Sequence, residues 1–336
     1  MGNNDIQEKT KLDQNLWKQL FVILLRQKKT MILVGILVFI TSMLDVIFPL
    51  LNSYALDTLA SGNASQQTFT TFVIMYVVMV IAFALCVYTY LHLTGIVENQ
   101  FAYDLRKMAF DKVQSLSFSY FDKNSEGWII SRLTSDITRL TEIMSWGFMD
   151  AVFGLISIIG ISIIMLVVNF RLALLILIVV IPLVFISNFF QKRILEQQRL
   201  VRKQNSEVTA AFSESINGAK TIKSLAIENE MSNDFKTVAS RMRKSSLRAN
   251  FYSALFMPVI IFLSGISMAS IIWYGGHQVI AFAMPFGMLL LFTSYVNMFY
   301  QPLRELARLL AELQMAQASA ERVLQLITSK NDVTDR

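Results

Sequence analysis

The chain predicts an all-α membrane protein with six transmembrane helices, and three observations carry that fold class. Its 336 residues are 54% hydrophobic with a mean hydropathy of +0.50, normal for a polytopic membrane protein and too apolar for an ordinary soluble domain. Six apolar runs, at about 31–51, 69–93, 146–168, 171–190, 254–274 and 286–303, are each of spanning length, since a helix needs about 20 residues to cross ~30 Å of hydrocarbon. Threading them with both chain ends inside leaves 29 of the 30 Lys and Arg residues on the cytoplasmic side and only Arg171 outside. Basic residues crowd the span ends at Lys28, Lys29, Lys192, Arg193 and the run RMRKSSLR at 241–248, where the positive-inside rule acts most strongly. The inverted topology would put nearly all of that charge outside, so both termini are expected in the cytoplasm.

Taken in order, residues 1–10 are polar, and residues 12–29 place Leu12, Leu16, Leu20 and Leu24 at i+4 spacing with Trp17 and Phe21 beside them. That stripe predicts an interfacial helix in the headgroup plane, with a short soluble helix as the alternative. The first span is read as an anchor, because it is full length and lacks a small-residue cleavage site close behind it. External connections are short: 52–68 carries the turn-rich SGNAS, 169–170 leaves almost no loop, and 275–285 begins with Gly275–Gly276 and contains Pro285. The internal connections, 94–145 and 191–253, are much longer. No Pro or Gly lies between Gly95 and Gly127, and Ile96, Phe101, Leu105, Met108, Val113 and Leu116 recur near the helical period. Residues 191–217 also lack both breakers. Spans two to five are therefore expected to continue as helices into the cytoplasm. A helix from residue 69 to about 116 would run about 70 Å, more than twice the hydrocarbon thickness. Each internal stretch has one break near its middle: YFDKNSEG at 120–127, and Asn217–Gly218 followed by AKTIKSLAIENE.

Composition also excludes. The net charge of +6 is the positive-inside bias itself, so no nucleic-acid partner is expected. The single cysteine, Cys86, rules out an intramolecular disulfide, and His92 and His277 show no ligand-like spacing, so no metal site is expected. Only Asp45 lies deep in a span, about 22 Å along its run. A carboxylate at the bilayer centre costs ~2.5–3.5 kcal/mol on insertion scales. Asp45 is therefore read as facing a wet outer cavity or a polar partner, with a direct substrate or cation role as the alternative. Spans this poor in charge argue against an ion-coupled carrier, which binds its proton or cation near the midplane.

Four segments carry more specific information. The first internal stretch reads RKMAFDKVQSLSFSYFDKNSEGWIISRLTSDITRL, with Phe121, Asp122, Gly127, Ser131, Arg132 and Asp136. The second reads ESINGAKTIKSLAIENEMSNDF, with Glu214, Gly218, Thr221, Ile222, Lys223, Glu228 and Phe235. FGMLLLFTSYVNMFYQPLRELARLL holds Gly287, Phe292, Tyr295, Pro302 and Leu303, and the tail AQASAERVLQLI holds Ser319, Glu321 and Arg322. In this order, on a six-span topology and over nearly the whole chain, they resemble the exporter-type transmembrane domain of ATP-binding-cassette (ABC) transporters.

The resemblance implies the ABC exporter transmembrane fold: an N-terminal tail and elbow helix at 1–30, the six-helix domain at 31–310, and a linker at 311–336 leading toward a nucleotide-binding domain. It implies two coupling helices, one carrying Tyr120, Phe121, Asp122, Lys123 and Gly127, the other Thr221, Ile222, Lys223 and Glu228. These would contact a nucleotide-binding (ATPase) domain or subunit, and solvated helix ends are the alternative reading. It also implies dimerisation with a second half-transporter, as homo- or heterodimer, with spans four and five crossing to the partner. No G-x-x-x-x-G-K-[ST] loop is present, because no glycine immediately precedes a lysine. ATP and Mg are therefore expected in a partner or missing domain, no cofactor in this chain, and no ATP hydrolysis by this chain alone. Whether the ATPase is a separate polypeptide or was truncated stays open.

For the substrate, Met288, Phe292, Tyr295, Met298 and Phe299 lie along span six at helical spacing. Such a Met-rich aromatic face could line a cavity for hydrophobic or amphipathic substrates, or else contact lipid and other helices. The run 241–248 is read as a topology anchor, with contact to anionic membrane lipid as the alternative. The expected function is the membrane half of an ATP-driven exporter. The alternatives are a non-catalytic interaction or regulatory subunit of a heterodimeric ABC transporter, and, less favoured, a six-span channel or ion-coupled carrier.

Overall fold

A computed structural model describes residues 14–60 and 65–329, and every regular element among them is helical. Leu12 of the N-terminal stripe, most of the SGNAS turn and the end of the 311–336 segment lie outside the described residues. Helix α1 (Gln14–Leu24) passes through a 3-10 turn (Leu25–Gln27) into α2 (Lys28–Ala60). Then follow α3 (Gln66–Gln114), the short helices α4 (Phe118–Lys123) and α5 (Glu126–Ser131), α6 (Ile137–Glu142) and α7 (Phe148–Val168). Two π-helical turns, Arg132–Asp136 and Ile143–Gly147, join α5, α6 and α7 into one helical path. The remainder is α8 (Phe170–Asn217), α9 (Ala219–Leu225), α10 (Glu228–Ile280) and α11 (Phe286–Ile327).

Five helical stretches among the described residues are long and apolar enough to cross a membrane: Asn15–Thr58, Gln66–Gln114, Glu126–Val168, Phe170–Asn217 and Glu228–Ile280. The expected sixth span, 286–303, is helical within α11 but is not among them. Thr293, Ser294, Asn297 and Gln301 lower its hydropathy. The helices continue through the breaker-free stretches 96–114 and 191–217 as predicted. α3 has 49 residues, α8 has 48 and α10 has 53, so α3 alone extends about 74 Å at 1.5 Å per residue. Ser65 caps α3, its Oγ accepting from the Thr68 N–H at 3.1 Å. Pro49, Pro182, Pro258 and Pro302 stay inside their helices. In membrane helices, neighbouring groups satisfy the carbonyl that a proline frees. Gly275–Gly276 also remains helical; the turn comes later, at 281–285, where Phe282 takes a φ of 55°.

The chain forms two compact units, residues 1–169 with 278–336, and residues 170–277. In the first, α2 packs against α3, α7 and α11. Ser42 and Ser157 hydrogen-bond at 2.9 Å between α2 and α7, the kind of small polar contact that holds membrane helices together. The Gly287 N–H donates to Asp57 Oδ1 at 2.6 Å, and a Cβ there would collide with the Ser53 carbonyl, so α11 reaches α2 this closely only through a glycine. Beyond the spans, α1, the end of α3, the α5–α6 path and the end of α11 enclose an apolar core around Leu20, Phe101, Leu105, Ile137, Leu140 and Val323. The stripe on α1 thus faces protein: Leu20 and Leu24 are buried, while Val22 and Leu25 are exposed. In the second unit α8 and α10 run to either side of α9, and Phe212 and Phe235 pack with ring centroids 4.7 Å apart.

Candidate functional site

Short helices stand at both expected breaks. In the first unit, α3 ends at Ser115, whose N–H bonds to the Lys112 carbonyl at 3.0 Å, and the chain turns into α4. Tyr120 is half-buried, edge-on to Trp128 at 6.4 Å, and its carbonyl accepts from Asn124 Nδ2 at 2.9 Å. With Tyr120 anchored inward, Phe121, Asp122 and Lys123 are left on the surface, and Gly127 is exposed in the first turns of α5. The most exposed ring here is Phe118, at 90% accessibility, which sequence reasoning passed over because it lies before the motif.

In the second unit, α9 begins after Gly218 and ends at Ala226, a left-handed residue with φ 53°. Ile222 turns into a small cavity of about 350 Å³ shared with Phe212, Met231 and Phe235. Thr221 and Lys223 are exposed. Lys223 Nζ meets Glu228 Oε1 at 3.2 Å, spanning the turn between α9 and α10. The Glu228 carboxyl is held below its ordinary value, first by its own backbone N–H at the helix start and then by Lys223. Both groups are well exposed, so the pair orients the turn more than it stabilises it.

A polar cluster joins the two ends of the first unit. Asp136, in the first π-turn, accepts from Arg322 Nε at 2.8 Å, from Arg322 Nη2, and from Ser319 Oγ at 2.9 Å. Arg322 Nη2 also donates to Ser319 Oγ at 3.1 Å. Nearby, Arg132 lies 3.1 Å from the centroid of the Trp128 ring and donates to the Trp128 carbonyl at 2.7 Å. This clasp sits ten residues before the span that begins at 146, about 15 Å along the helix. Burial alone would push the Asp136 carboxyl up. Hydrogen bonds from Arg322 and Ser319, with the charges of Arg322 and Arg132, outweigh it and hold the group below its ordinary value. The Asp136 hydrogen bond correspondingly raises Arg322. The sequence offers Arg132, Asp136, Ser319 and Arg322 as members of two separate motifs; their meeting across 186 positions is a tertiary fact.

Between α2, α3, α7 and α11 lies a cavity of about 540 Å³, walled among others by Asp45, Tyr90, Trp146, Asp150, Met298 and Glu305. Trp146, in the second π-turn, is oriented by donating Nε1–H to Glu98 Oε2 at 2.7 Å. The three carboxylates share these walls without forming a metal-ligand group among the described residues. Of the five span-six residues read as a lining, Met298 is the one that faces this cavity. Phe292, Tyr295 and Phe299 are at most 2% exposed. The Tyr295 hydroxyl donates to the Val46 carbonyl at 2.8 Å, so that face joins α11 to α2. Met288 lies at its end, its sulfur 4.0 Å from Asn169 Nδ2. The face that does line the cavity carries Met298, Gln301, Pro302 and Glu305. Their spacing of three to four residues was a legible signal, outweighed in the sequence reading by the aromatic stripe beside it.

Comparison with known proteins places these features in a family. The family described as "ABC transporter transmembrane region" matches residues 31–303. An uncharacterized ABC transporter ATP-binding protein of Bacillus subtilis (strain 168), YknV, is 26% identical over 336 residues, which is 100% of this chain and 56% of that protein. A second from the same organism, YknU, is 27% identical over 87% of this chain and 50% of its own length. An ATP-dependent lipid A-core flippase of Syntrophus aciditrophicus (strain SB) is 28% identical over 75% of this chain and 42% of that protein. The chain thus spans about half the length of the curated relatives it matches.

Proposed function

For a chain that belongs to the family of ABC transporter transmembrane regions, we propose the role of membrane half of an ATP-driven exporter. It forms the substrate pathway and takes its energy from a nucleotide-binding domain or subunit. Both termini lie in the cytoplasm in this reading, as the placement of Lys and Arg requires. The observation that carries it is the pair of short surface helices, α4 and α9, each mounted on helices of about 70 Å. That is more than twice what crossing a bilayer needs, so the excess serves something beyond anchoring. A partner that binds ATP better in one arrangement than the other shifts the population of the two, and the helices carry the shift to the spans. Asp122 and Lys123 on α4, and Thr221, Lys223 and Glu228 around α9, supply the polar contacts to that partner. ATP and Mg belong to the partner. A second half-transporter, identical or related, completes the pathway.

The substrate is hydrophobic or amphipathic. The cavity combines aromatic walls at Tyr90 and Trp146 with carboxylates at Asp45, Asp150 and Glu305. Anionic walls favour a cationic head and oppose a polyanionic one. The related flippase is named for lipid A-core, so a membrane-resident substrate fits the family, and the wall charges point to a cationic head.

The test is co-reconstitution in proteoliposomes with the cognate nucleotide-binding partner. ATP-driven movement of a fluorescent amphipathic cation is expected, with ATPase activity that rises with substrate. Asp122→Ala and Glu228→Ala should insert normally yet lose that response. Unchanged coupling in both variants sinks the proposal. A complex that transports regardless of Met298→Ala and Asp45→Asn points instead to a regulatory subunit that carries no substrate.

A further inference from the structure

The first unit holds a second concavity that none of the above uses. A groove of about 710 Å³ runs between α1, the π-turn Ile143–Gly147 with the start of α7, and the middle of α11. Trp17, Phe21, Ile143, Phe148, Leu309 and Leu313 are among its walls, and Lys18 is the one charged residue among its described ones. Its depth is set by two landmarks. Helix α1 ends just before Lys28 and Lys29, where the first span begins, and Phe148 stands at the start of the third. The groove therefore adjoins the ends of the first and third spans, and Leu309 and Leu313 carry it past the end of the sixth. Val22 and Phe148 among its walls are exposed, as are Ile32, Leu33 and Ile36 on the first span. Residues 1–13, which precede α1 in the sequence, offer only Met1, Ile6 and Leu12 as large apolar side chains, against Asp5, Glu8, Lys9, Lys11 and Asp13. They are poorly suited to filling an apolar groove.

We propose that this groove holds one acyl chain of an anionic phospholipid, whose phosphate pairs with Lys18. Moving a chain from the bilayer into the groove gains no hydrophobic energy, because lipid tails are already apolar. Occupancy rests instead on dispersion contacts that the groove walls otherwise lack, and on the charge of Lys18. One basic residue near an anionic surface contributes about 1 kcal/mol, a preference of about fivefold over a zwitterionic lipid. The groove is walled by three separate elements, so a lipid held there favours whichever arrangement of α1, α7 and α11 keeps it open. This proposal requires only that the chain be embedded in a membrane, so it stands or falls independently of ATPase coupling.

The experiment keeps Trp17 as the sole tryptophan, with Trp128→Phe, Trp146→Phe and Trp273→Phe, in nanodiscs containing phospholipid with brominated chains. Brominated phosphatidylglycerol should quench Trp17 at about one-fifth the mole fraction that brominated phosphatidylcholine requires. Lys18→Gln should abolish that difference. Ala151→Phe, which fills the groove, should lower quenching by both lipids. Equal quenching by the two lipids, or no effect of Ala151→Phe, would mean ordinary bilayer contact, or a groove covered by a second copy or by residues 1–13, and overturns the proposal. Native mass spectrometry of the unaltered chain gives a reading that does not depend on the tryptophan variants folding. A phosphatidylglycerol adduct that outlasts a phosphatidylcholine one, and is lost in Lys18→Gln, is expected; equal retention of the two counts against it.

Discussion

Away from the spans, the two units of this chain are built on opposite principles. In the first, the extension closes on itself. Phe101, Leu105, Ile137, Leu140, Ala320 and Val323 are all fully buried, and the Asp136–Arg322 clasp locks the same region. In the second, no residue from 191 to 244 is buried, and Phe212, Ile216 and Leu225 are 52%, 72% and 63% exposed. Yet both regions are continuous helix over comparable lengths. Helix continuity and a packed core are therefore separate achievements. The first needs only a run free of breakers, while the second needs partners on the apolar face. A long helical pair with no core of its own is what a lever completed by another molecule would look like, and this contrast is the physical ground for the second half-transporter proposed above.

The widest separation between the two regions should come from truncating one ring in each. Phe101→Ala should cost about 3–5 kcal/mol. Phe212→Ala should cost about 1 kcal/mol or less in the chain alone, because half of its ring already faces outward. Thermal unfolding in nanodiscs measures both, and similar losses would erase the contrast. If assembly with a second half-transporter enlarges the Phe212→Ala loss while leaving Phe101→Ala unchanged, the comparison is sharpened. Next comes Gly287→Ala, expected to cost about 1–3 kcal/mol as α11 is pushed off the Ser53 carbonyl; a melting point unchanged from the parent would show that the close approach is not obligatory.

Smaller again is Asp136→Asn, at about 1–2 kcal/mol, since Arg322 is partly solvated and its pairing is screened. Its pH dependence has a definite sign. A carboxyl depressed by folding contributes stability that is fully present above its ordinary value of 3.8 and is lost as pH falls through the lower folded value. The parent should therefore lose more stability than Asp136→Asn on acidification below about pH 4; parallel acid profiles would remove the clasp from the account. Smallest is Lys223→Ala, which should leave the melting temperature unchanged because the ion pair is solvated. Proteolysis at the 226–228 turn should nonetheless accelerate in that variant, and an unaltered cleavage rate would deny the pair any role in ordering the turn.

Much of the architecture could be read from the chain because it depends on near neighbours. The break after Asn217, the long helices α3, α8 and α10 and the absence of strands among the described residues follow from where Gly and polar clusters fall, while the first break opens at Ser115–Ser117, ahead of the expected 120–127. Gly275–Gly276 shows the limit of that reasoning: glycines that look like a turn stay helical inside α10. The cavity was less legible. Asp45 stood out as a lone carboxylate in a span, but Asp150 and Glu305, near the ends of theirs, gave no sign that they would share its walls. Span six misled in a specific way. Its aromatic stripe carries the bulk that buries best, so it packs against α2, while the thinner face with Met298 and Glu305 turns to the cavity.

By itself the sequence determined the helical class, the membrane setting, the length of the rods and the turn at Asn217–Gly218. Each depends on hydropathy, charge and backbone propensity summed over neighbouring residues. Only the tertiary structure decided which side chains meet. Asp136 found Arg322, Trp146 found Glu98, and Tyr295 found Val46 across 186, 48 and 249 positions. Helical periodicity says which residues share a face, and the packing of helix against helix settles what that face touches.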